Sequence, residues 1–340
     1  MKAAVFQGPS DIVVRDVPVP RIAGNDVLID VRACGICGTD LRIEEGRFDA
    51  RYPVIAGHEF CGEVVETGAE VTHLQVGDIV AVNPNTPCRH CSYCYRGLFH
   101  LCDNMTACGV TYDGGFAELC RVSSELALPV PAGDAGHAEK WAMMEPVSCC
   151  LHGIDVAGVR PGDSVVILGG GSIGLILCQI ARYTGATTLI VSEPAETKRE
   201  LALACGADEV LDPAALGDGL ARAVRDLTAG GADVVIEAAG LAVTAQAALP
   251  LVRKGGTLLF FGVCPRELQV PIRPFDIYHY EITIKGTFTN PLTDSRALEL
   301  LASGRIQVES LITHRFGLDQ IQTGLDAVRN GRTVKAIIVP

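Results

Sequence analysis

The chain has 340 residues, of which 48% are hydrophobic and 20% charged, and a formal net charge of -12. The length exceeds one ordinary core and fits two domains, and the apolar content excludes a disordered chain. The acidic balance, with Lys and Arg scattered rather than gathered into a patch, opposes nucleic-acid binding.

The start, Met1-Lys2-Ala3-Ala4-Val5-Phe6, runs directly into a strand-like pattern. It lacks an apolar signal core, and the chain lacks a run of about 18 apolar residues able to span a bilayer, so a cytoplasmic protein with no membrane partner is expected. Up to about residue 145 the chain is rich in Gly and Pro, with short runs such as 26–31 and 62–66 between turn signals. Many short strands with irregular loops predict a partly open β-barrel.

Two segments of this part carry ligand-type side chains: Cys34-Gly35-Ile36-Cys37-Gly38-Thr39-Asp40, and Gly57-His58-Glu59-Phe60-Cys61-Gly62 with Gly68. Cys37, His58 and Glu59 would give zinc fewer strong ligands than a closed site, leaving room for water or substrate. An open zinc polarises a hydroxyl and lowers its pKa. Asp40 is the candidate partner that fixes the His58 tautomer, and Thr39 is placed to pass a proton outward. Cys34 reads as a packing residue.

Cys88, Cys91, Cys94 and Cys102 follow, so four of the fourteen cysteines fall in a C-x2-C-x2-C-x7-C cluster. In a large chain without a signal segment this favours thiolates on a metal over disulfides. Four thiolates close a tetrahedron and leave no open position, which predicts a structural zinc holding a lobe with little apolar core. His90 and His100 are read as surface residues. The other cysteines, such as Cys149, Cys150, Cys178 and Cys205, lie in apolar segments and read as inert buried thiols.

The texture changes near Glu145-Pro146. Strands are predicted at 164–168, 188–192, 209–211, 233–237, 257–261 and 282–287, with helical stretches between the first five. Near-continuous apolar strands with helical crossovers predict a doubly wound parallel sheet. After the first strand comes Gly169-Gly170-Gly171-Ser172-Ile173-Gly174, a G-x-G-x-x-G turn in strand–turn–helix context. Gly169 allows the turn, Gly171 lets backbone approach a pyrophosphate, and Gly174 lets helix and strand pack closely. The helix N-terminus offers N–H groups and positive dipole to phosphates. Glu193, nineteen residues after Gly174, ends the second strand and can accept hydrogen bonds from ribose hydroxyls. A 2′-phosphate would face that carboxylate, so NAD is expected over NADP, although Lys198 and Arg199 stand close. From about Leu292 two more helical stretches and a last strand near 334–339 are expected to return to the first domain.

Together these segments, with Glu145-Pro146 and Ile284-Lys285-Gly286-Thr287-Phe288, resemble the zinc-containing medium-chain dehydrogenase/reductase superfamily over essentially the whole chain. The resemblance implies a GroES-like catalytic domain at 1–148 with the return 290–340, a Rossmann NAD-binding domain at 149–289, and zinc and nicotinamide in the cleft between them. Within the superfamily the chain looks most like the sorbitol (polyol), butanediol and threonine dehydrogenase branch. The implied activity is hydride transfer from a secondary alcohol of a polyol to NAD, giving a ketone or ketose. By the same resemblance Glu145 sits near the catalytic zinc and can ligate it, directly or through water. Ile173, Glu193, Lys198, Phe261-Gly262-Val263 and Thr287-Phe288-Thr289 would contact the cofactor. A homo-oligomer, a tetramer or dimer, is implied, with the strand 282–287 pairing across a dimer. The chain departs from the branch at Arg42, where His is usual, and at Ile43, where some sorbitol dehydrogenases carry an aromatic. The pocket is therefore not a close sorbitol match. Threonine, 2,3-butanediol or aldose dehydrogenase, a zinc-free quinone reductase and a non-enzymatic cofactor-sensing zinc scaffold are the rival readings.

Overall fold

The computed structural model describes residues 1–134 and 136–340. The chain divides into two compact units, Met1–Ser148 together with Pro291–Pro340, and Cys149–Asn290.

The first unit opens with β1 (Lys2–Gly8), β2 (Asp11–Asp16), β3 (Asp26–Ile36), α1 (Gly38–Glu44), β4 (Val54–Ile55), β5 (Glu59–Thr67) and β6 (Ile79–Val82). It continues through β7 (Asn85–Thr86), α2 (Ser92–Tyr95), β8 (Thr106–Ala107), β9 (Leu119–Ser123), β10 (Ala127–Pro129) and α3 (Ala138–Ala142) to α4 (Met144–Ala157). The second unit alternates β11 (Ser164–Leu168), α5 (Ser172–Thr184), β12 (Thr188–Ser192), α6 (Glu196–Ala204), β13 (Glu209–Leu211), α7 (Pro213–Leu216), α8 (Leu220–Leu227), β14 (Ala232–Glu237), α9 (Ala242–Ala248), β15 (Val252–Phe260), α10 (Pro274–Tyr280) and β16 (Thr283–Gly286). The return to the first unit carries α11 (Asp294–Ala302), β17 (Ile312–Gly317), α12 (Ile321–Arg329) and β18 (Lys335–Val339).

In the first unit β2-β1-β4 form a small sheet, and β10-β6-β5-β3-β18-β17 form the main one, with β9 also on β3. β3 is the organising strand. It pairs antiparallel with β5, β9 and β18, and its register breaks twice against β5. Such breaks bend and twist the sheet, which lets one strand serve several partners. The core draws on both ends of the chain: Phe6, Ile29, Phe60, Val64 and Phe116 pack with Leu318, Leu325 and Ile338.

β17 is the element the hydropathy pattern does not announce. Ile312-Thr313-His314-Arg315-Phe316 sets three polar residues in a row between two apolar ones, so it shows no strand alternation and is not among the predicted strands. It lies parallel to β18, with α12 as the crossover, so the return contributes a small β-α-β unit.

The second unit is a six-stranded parallel sheet in the order β13-β12-β11-β14-β15-β16. Every residue of β11 is buried, as a central strand covered on both faces requires. The order reverses between β11 and β14, the place where doubly wound sheets bind ligands. β15 starts five residues before the predicted 257–261: Val252 pairs with Ala232, then the chain bulges through Gly255 at φ +73° before Thr257 pairs with Val234. A helix, α10, also precedes the last strand where none was expected.

The glycines after β11 differ in what they permit. A Cβ at Gly174 would overlap the Gly169 carbonyl oxygen, whereas one at Gly171 meets nothing within 4 Å. Gly174→Val should therefore destabilise the protein by about 1–3 kcal/mol, the usual cost of overpacking. Gly171→Ala should leave the thermal unfolding midpoint near that of the parent. Calorimetry of the two variants checks the contrast.

Candidate active site

β3 runs into α1 through Cys37, and Ala56-Gly57-His58 leads into β5. The backbone explains why the two segments meet. Gly35 of β3 pairs with Glu59 of β5, so Cys37 and His58 leave the sheet side by side. Cys37, His58 and Glu59 each offer a ligand atom, and the three atoms lie within 4.8 Å of one another. Sulfur, nitrogen and oxygen at that spacing fit a zinc ion with an open coordination position.

Asp40 fixes this arrangement. It is fully buried, its Oδ2 accepts from the Cys37 N–H at 2.8 Å, and its Oδ1 accepts from the Gly57 N–H at 3.3 Å. Its Oδ1 also stands 3.6 Å from His58 Nδ1. One carboxylate thus ties together both ligand segments and faces one imidazole nitrogen, leaving Nε2 as the nitrogen for a metal. Burial lowers the proton affinity of His58, and the charges of Asp40 and Cys37 more than reverse this, holding its pKa well above the ordinary value. A site this anionic calls for a cation. Thr39 lies half-buried in the first turn of α1, and Arg42 half-buried in its last.

Glu145 is buried near the start of α4 but is not one of the three gathered donors. Its charge is felt by Lys335, which forms an ion pair with Glu59. Neither Lys335 nor this pair was foreseen from the sequence. The available signal was a lone Lys opening an otherwise apolar strand, Lys335-Ala336-Ile337-Ile338-Val339. A second cation of the return, Arg329, pairs with the buried Glu44 at the end of α1.

Cys88, Cys91, Cys94 and Cys102 also offer ligand atoms within 4.8 Å of one another. The Cys88 and Asn104 N–H groups both point at Cys102 Sγ, at 3.2 and 3.3 Å, so backbone donors are in place for thiolate charge. Backbone donors led by the His90 N–H lower the Cys88 thiol to about 6, while burial beside other thiols raises Cys94 to about 12. Four crowded thiols do not all ionise without a cation among them. His90 is exposed and His100 half-buried, and neither belongs to the four. Cys34 is buried against Gly57, and burial raises its thiol well above the ordinary range. Burial likewise raises Cys178 to about 12 and Cys205 to about 11.

In the second unit Gly169 turns at φ +111° and Gly171 caps α5, whose first turn is open above it. Glu193 is buried and braces this loop: Oε2 accepts from the Gly170 N–H at 2.7 Å and Oε1 from the Ala195 N–H at 3.0 Å. Arg199 donates to the Glu193 and Pro194 carbonyls rather than reaching outward, while Lys198 is half-buried. Ile173 lies half-buried in the first turn of α5. Glu237, at the end of β14, was not singled out from the sequence. It is fully buried, and its Oε1 accepts from Ala239, Gly240 and Thr244, shaping the turn across the switch point from the glycine loop. Phe261 and Gly262 both donate backbone N–H groups to the Glu237 carbonyl, and Val263 is exposed. Thr287 donates its N–H to Phe260, Phe288 is exposed, and Thr289 turns at φ +50°.

The family models for the alcohol dehydrogenase GroES-like domain and for zinc-binding dehydrogenase match residues 23–132 and 172–303. D-arabinitol dehydrogenase 1 of Uromyces fabae is 33% identical over 100% of this chain and 97% of its own length. D-xylulose reductase A of Aspergillus oryzae is 32% identical, covering 98% of this chain and 95% of its own. A zinc-binding dehydrogenase of Sinorhizobium meliloti, solved with NADP bound, superposes with a TM-score of 0.94 at 41% identity, over 100% of this chain and 99% of that one. With both halves matched and relatives aligned end to end, the chain belongs to the zinc-binding, GroES-like medium-chain dehydrogenase/reductase superfamily, as an alcohol or polyol dehydrogenase that works with zinc and a nicotinamide cofactor.

Proposed function

We propose that the protein oxidises a secondary alcohol of a polyol or sugar alcohol to a ketone or ketose with NAD, using one catalytic and one structural zinc per chain. The observation that carries this is the convergence of Cys37, His58 and Glu59 within 4.8 Å, with Glu145 buried in the same unit. When bound, zinc there supplies a Lewis acid for the substrate hydroxyl, and the nicotinamide accepts the hydride. The chain's own residues do the rest. Asp40 orients His58 and Cys37; the Thr39 hydroxyl takes the substrate proton and passes it outward; Glu145 stands as a further carboxylate for the metal. The four-cysteine site holds its lobe in shape. Gly169, Gly171, Ile173 and Gly174 cradle the pyrophosphate, with Glu193 and Lys198 at the adenosine ribose. Phe261-Gly262-Val263 and Thr287-Phe288-Thr289 line the nicotinamide end.

NAD over NADP rests on the charge of Glu193, which a 2′-phosphate would meet directly. NADP is the second reading, favoured by the Sinorhizobium meliloti neighbour that holds it. We further infer a homo-oligomer paired through β16, the edge of the six-stranded sheet, near the exposed Phe275, Tyr278 and Ile284. Among the described residues no helix is long and apolar enough to cross a membrane. Among the described residues no two cysteines form a disulfide, in keeping with a reducing, cytoplasmic setting.

A panel of polyols, secondary alcohols, threonine, 2,3-butanediol and aldoses, followed by nicotinamide absorbance with zinc measured on the same sample, should give turnover on polyols with two zincs per chain. Turnover on none of them would overturn the reading. Cys37→Ser should lose one zinc and at least about a thousandfold in kcat/KM, the several kcal/mol a Lewis acid contributes. Cys94→Ser should lose the other zinc and lower the unfolding midpoint. The parent should prefer NAD, and Glu193→Gln should cut the NAD-to-NADP ratio of kcat/KM by about tenfold, equivalent to ~1.4 kcal/mol. A parent that prefers NADP would refute the cofactor assignment alone.

A further inference from the structure

Two cysteines outside both metal clusters face each other in the core of the first unit. Cys108 follows β8, and Cys120 sits in β9 opposite Ile29 of β3. Their sulfurs are 3.8 Å apart, and the residues are buried, at 0% and 2% exposure. One backbone oxygen gathers them: the Asp113 carbonyl accepts from Cys108 Sγ at 3.2 Å and from Cys120 Sγ at 3.8 Å. Cys120, Tyr112, Asp113 and Gly114 line a cavity of about 390 Å³ together with Arg15, Arg21 and Arg121. Those three arginines are exposed, so the cavity meets the surface and offers a molecule hardly larger than water a route to Cys120. The Cys120 partner and burial hold the Cys108 thiol well above the ordinary range. Cys108 is thus the poorer first nucleophile, and Cys120, on the cavity, meets an oxidant first.

The loop between the two cysteines also braces the segment that carries His58. The Gly115 N–H donates to the Gly57 carbonyl at 2.8 Å, and the Phe116 N–H to that of Ala56 at 3.0 Å. A Cβ at Gly109 or at Gly114 would overlap the Gly57 carbonyl oxygen, so loop and segment touch with no slack. A disulfide spans about 2 Å, and closing it would draw the two sulfurs to roughly half their present separation. β9 is fixed on β3, so the strain falls on the loop.

We propose that Cys108 and Cys120 are a modification site, oxidised by a peroxide to a disulfide that shifts the 108–116 loop, displaces His58 and lowers turnover. The effect on turnover rests on the reading of His58 as a zinc ligand; the disulfide itself does not. Cys120 Sγ attacks one peroxide oxygen, the O–O bond breaks, and one water leaves a sulfenic acid on Cys120. Cys108 Sγ then attacks that sulfur, the S–S bond forms, and the S–O bond breaks to release a second water. The two thiol hydrogens leave in the two waters, and the two electrons given up by the sulfurs reduce the peroxide. In a reducing setting the bond is transient, as in cytosolic proteins that sense oxidants.

The test exposes the zinc-loaded parent, Cys108→Ser and Cys120→Ser to a modest excess of hydrogen peroxide. Remaining thiols are then blocked in denaturant, and unreduced peptides are mapped by mass spectrometry. The parent should yield peptides joined through Cys108 and Cys120. Its kcat/KM should fall at least about tenfold, within the loss that an ångström of misplacement causes. Dithiothreitol should reverse both changes. Each serine variant should start with the parent's activity, form no such link and keep its activity through the same exposure. Released zinc is measured on every sample, because oxidation of Cys37 or of the four-cysteine cluster would free it.

Absence of the Cys108–Cys120 link, or its formation with turnover unchanged, would overturn the proposal while leaving the site reading intact. So would inactivation that tracks zinc release and strikes the serine variants equally. Should those variants fail to fold, the parent's peptide map and its reversal by dithiothreitol decide the matter. A parent that carries only the four-cysteine zinc would overturn the site reading and with it the effect on turnover, and the peptide map would still decide the disulfide.

Discussion

The Glu59–Lys335 pair is the interaction around which the first unit is arranged. Two full charges removed from water must face each other closely, because either one alone would be costly to bury. That demand reaches outward. It requires glycine at position 35, where a side chain would occupy the space of the pair. It requires β18 to lie on β3 in the register that sets Ala336 against Ile36. It therefore requires the chain to return, after a whole second unit, to complete a sheet begun at its start. Arg329 repeats the pattern one element earlier, meeting Glu44 at the end of α1, the helix that carries Thr39 and Asp40, and Glu45 just past it. The return supplies both cations, and the opening segment supplies the buried carboxylates Glu59 and Glu44 that they meet.

A second device recurs in both units: a buried carboxylate that grips the backbone of a functional loop. Asp40 accepts from the N–H groups of Cys37 and Gly57, Glu193 from Gly170 and Ala195, and Glu237 from Ala239 and Gly240. Loops that leave strands carry N–H groups without ladder partners, and an anion satisfies two or three of them at once. Side chains on these loops are thereby placed by fixed backbone rather than by their own rotamers alone. Glu193 thus has a structural duty beside its proposed one at the ribose. Its substitution tests loop geometry as well as charge, and the comparison of two cofactors separates the two.

What could be read before the fold was seen divides along a physical line. Chemistry carried by local spacing was legible: the four-cysteine cluster, the glycine turn after an apolar strand, and the Gly57-His58-Glu59 segment each declare their residues within a few positions. The first three parallel strands have the predicted limits, because buried central strands are short, apolar and bounded by turns. What depended on distant pairing was not. β17 has no hydrophobic signature of its own and exists because β18 lies beside it. Lys335 and Glu59 are separated by 276 positions, and no local rule connects them. Glu237 was passed over because an acid ending a strand usually meets solvent, whereas here the turn folds back over it.

The return of the chain also sets an order of events during synthesis. Cys37, His58 and Glu59 leave the ribosome early, with the four cysteines soon after. The four-cysteine lobe draws all its ligands from fifteen consecutive residues and can close around zinc while translation continues. The other cluster waits with a buried acid uncompensated until Lys335 has cleared the exit tunnel and β18 has docked. On the proposed reading the two clusters therefore assemble differently: the four-cysteine one from a single local stretch, the other only once Lys335, 276 positions after Glu59, has joined it.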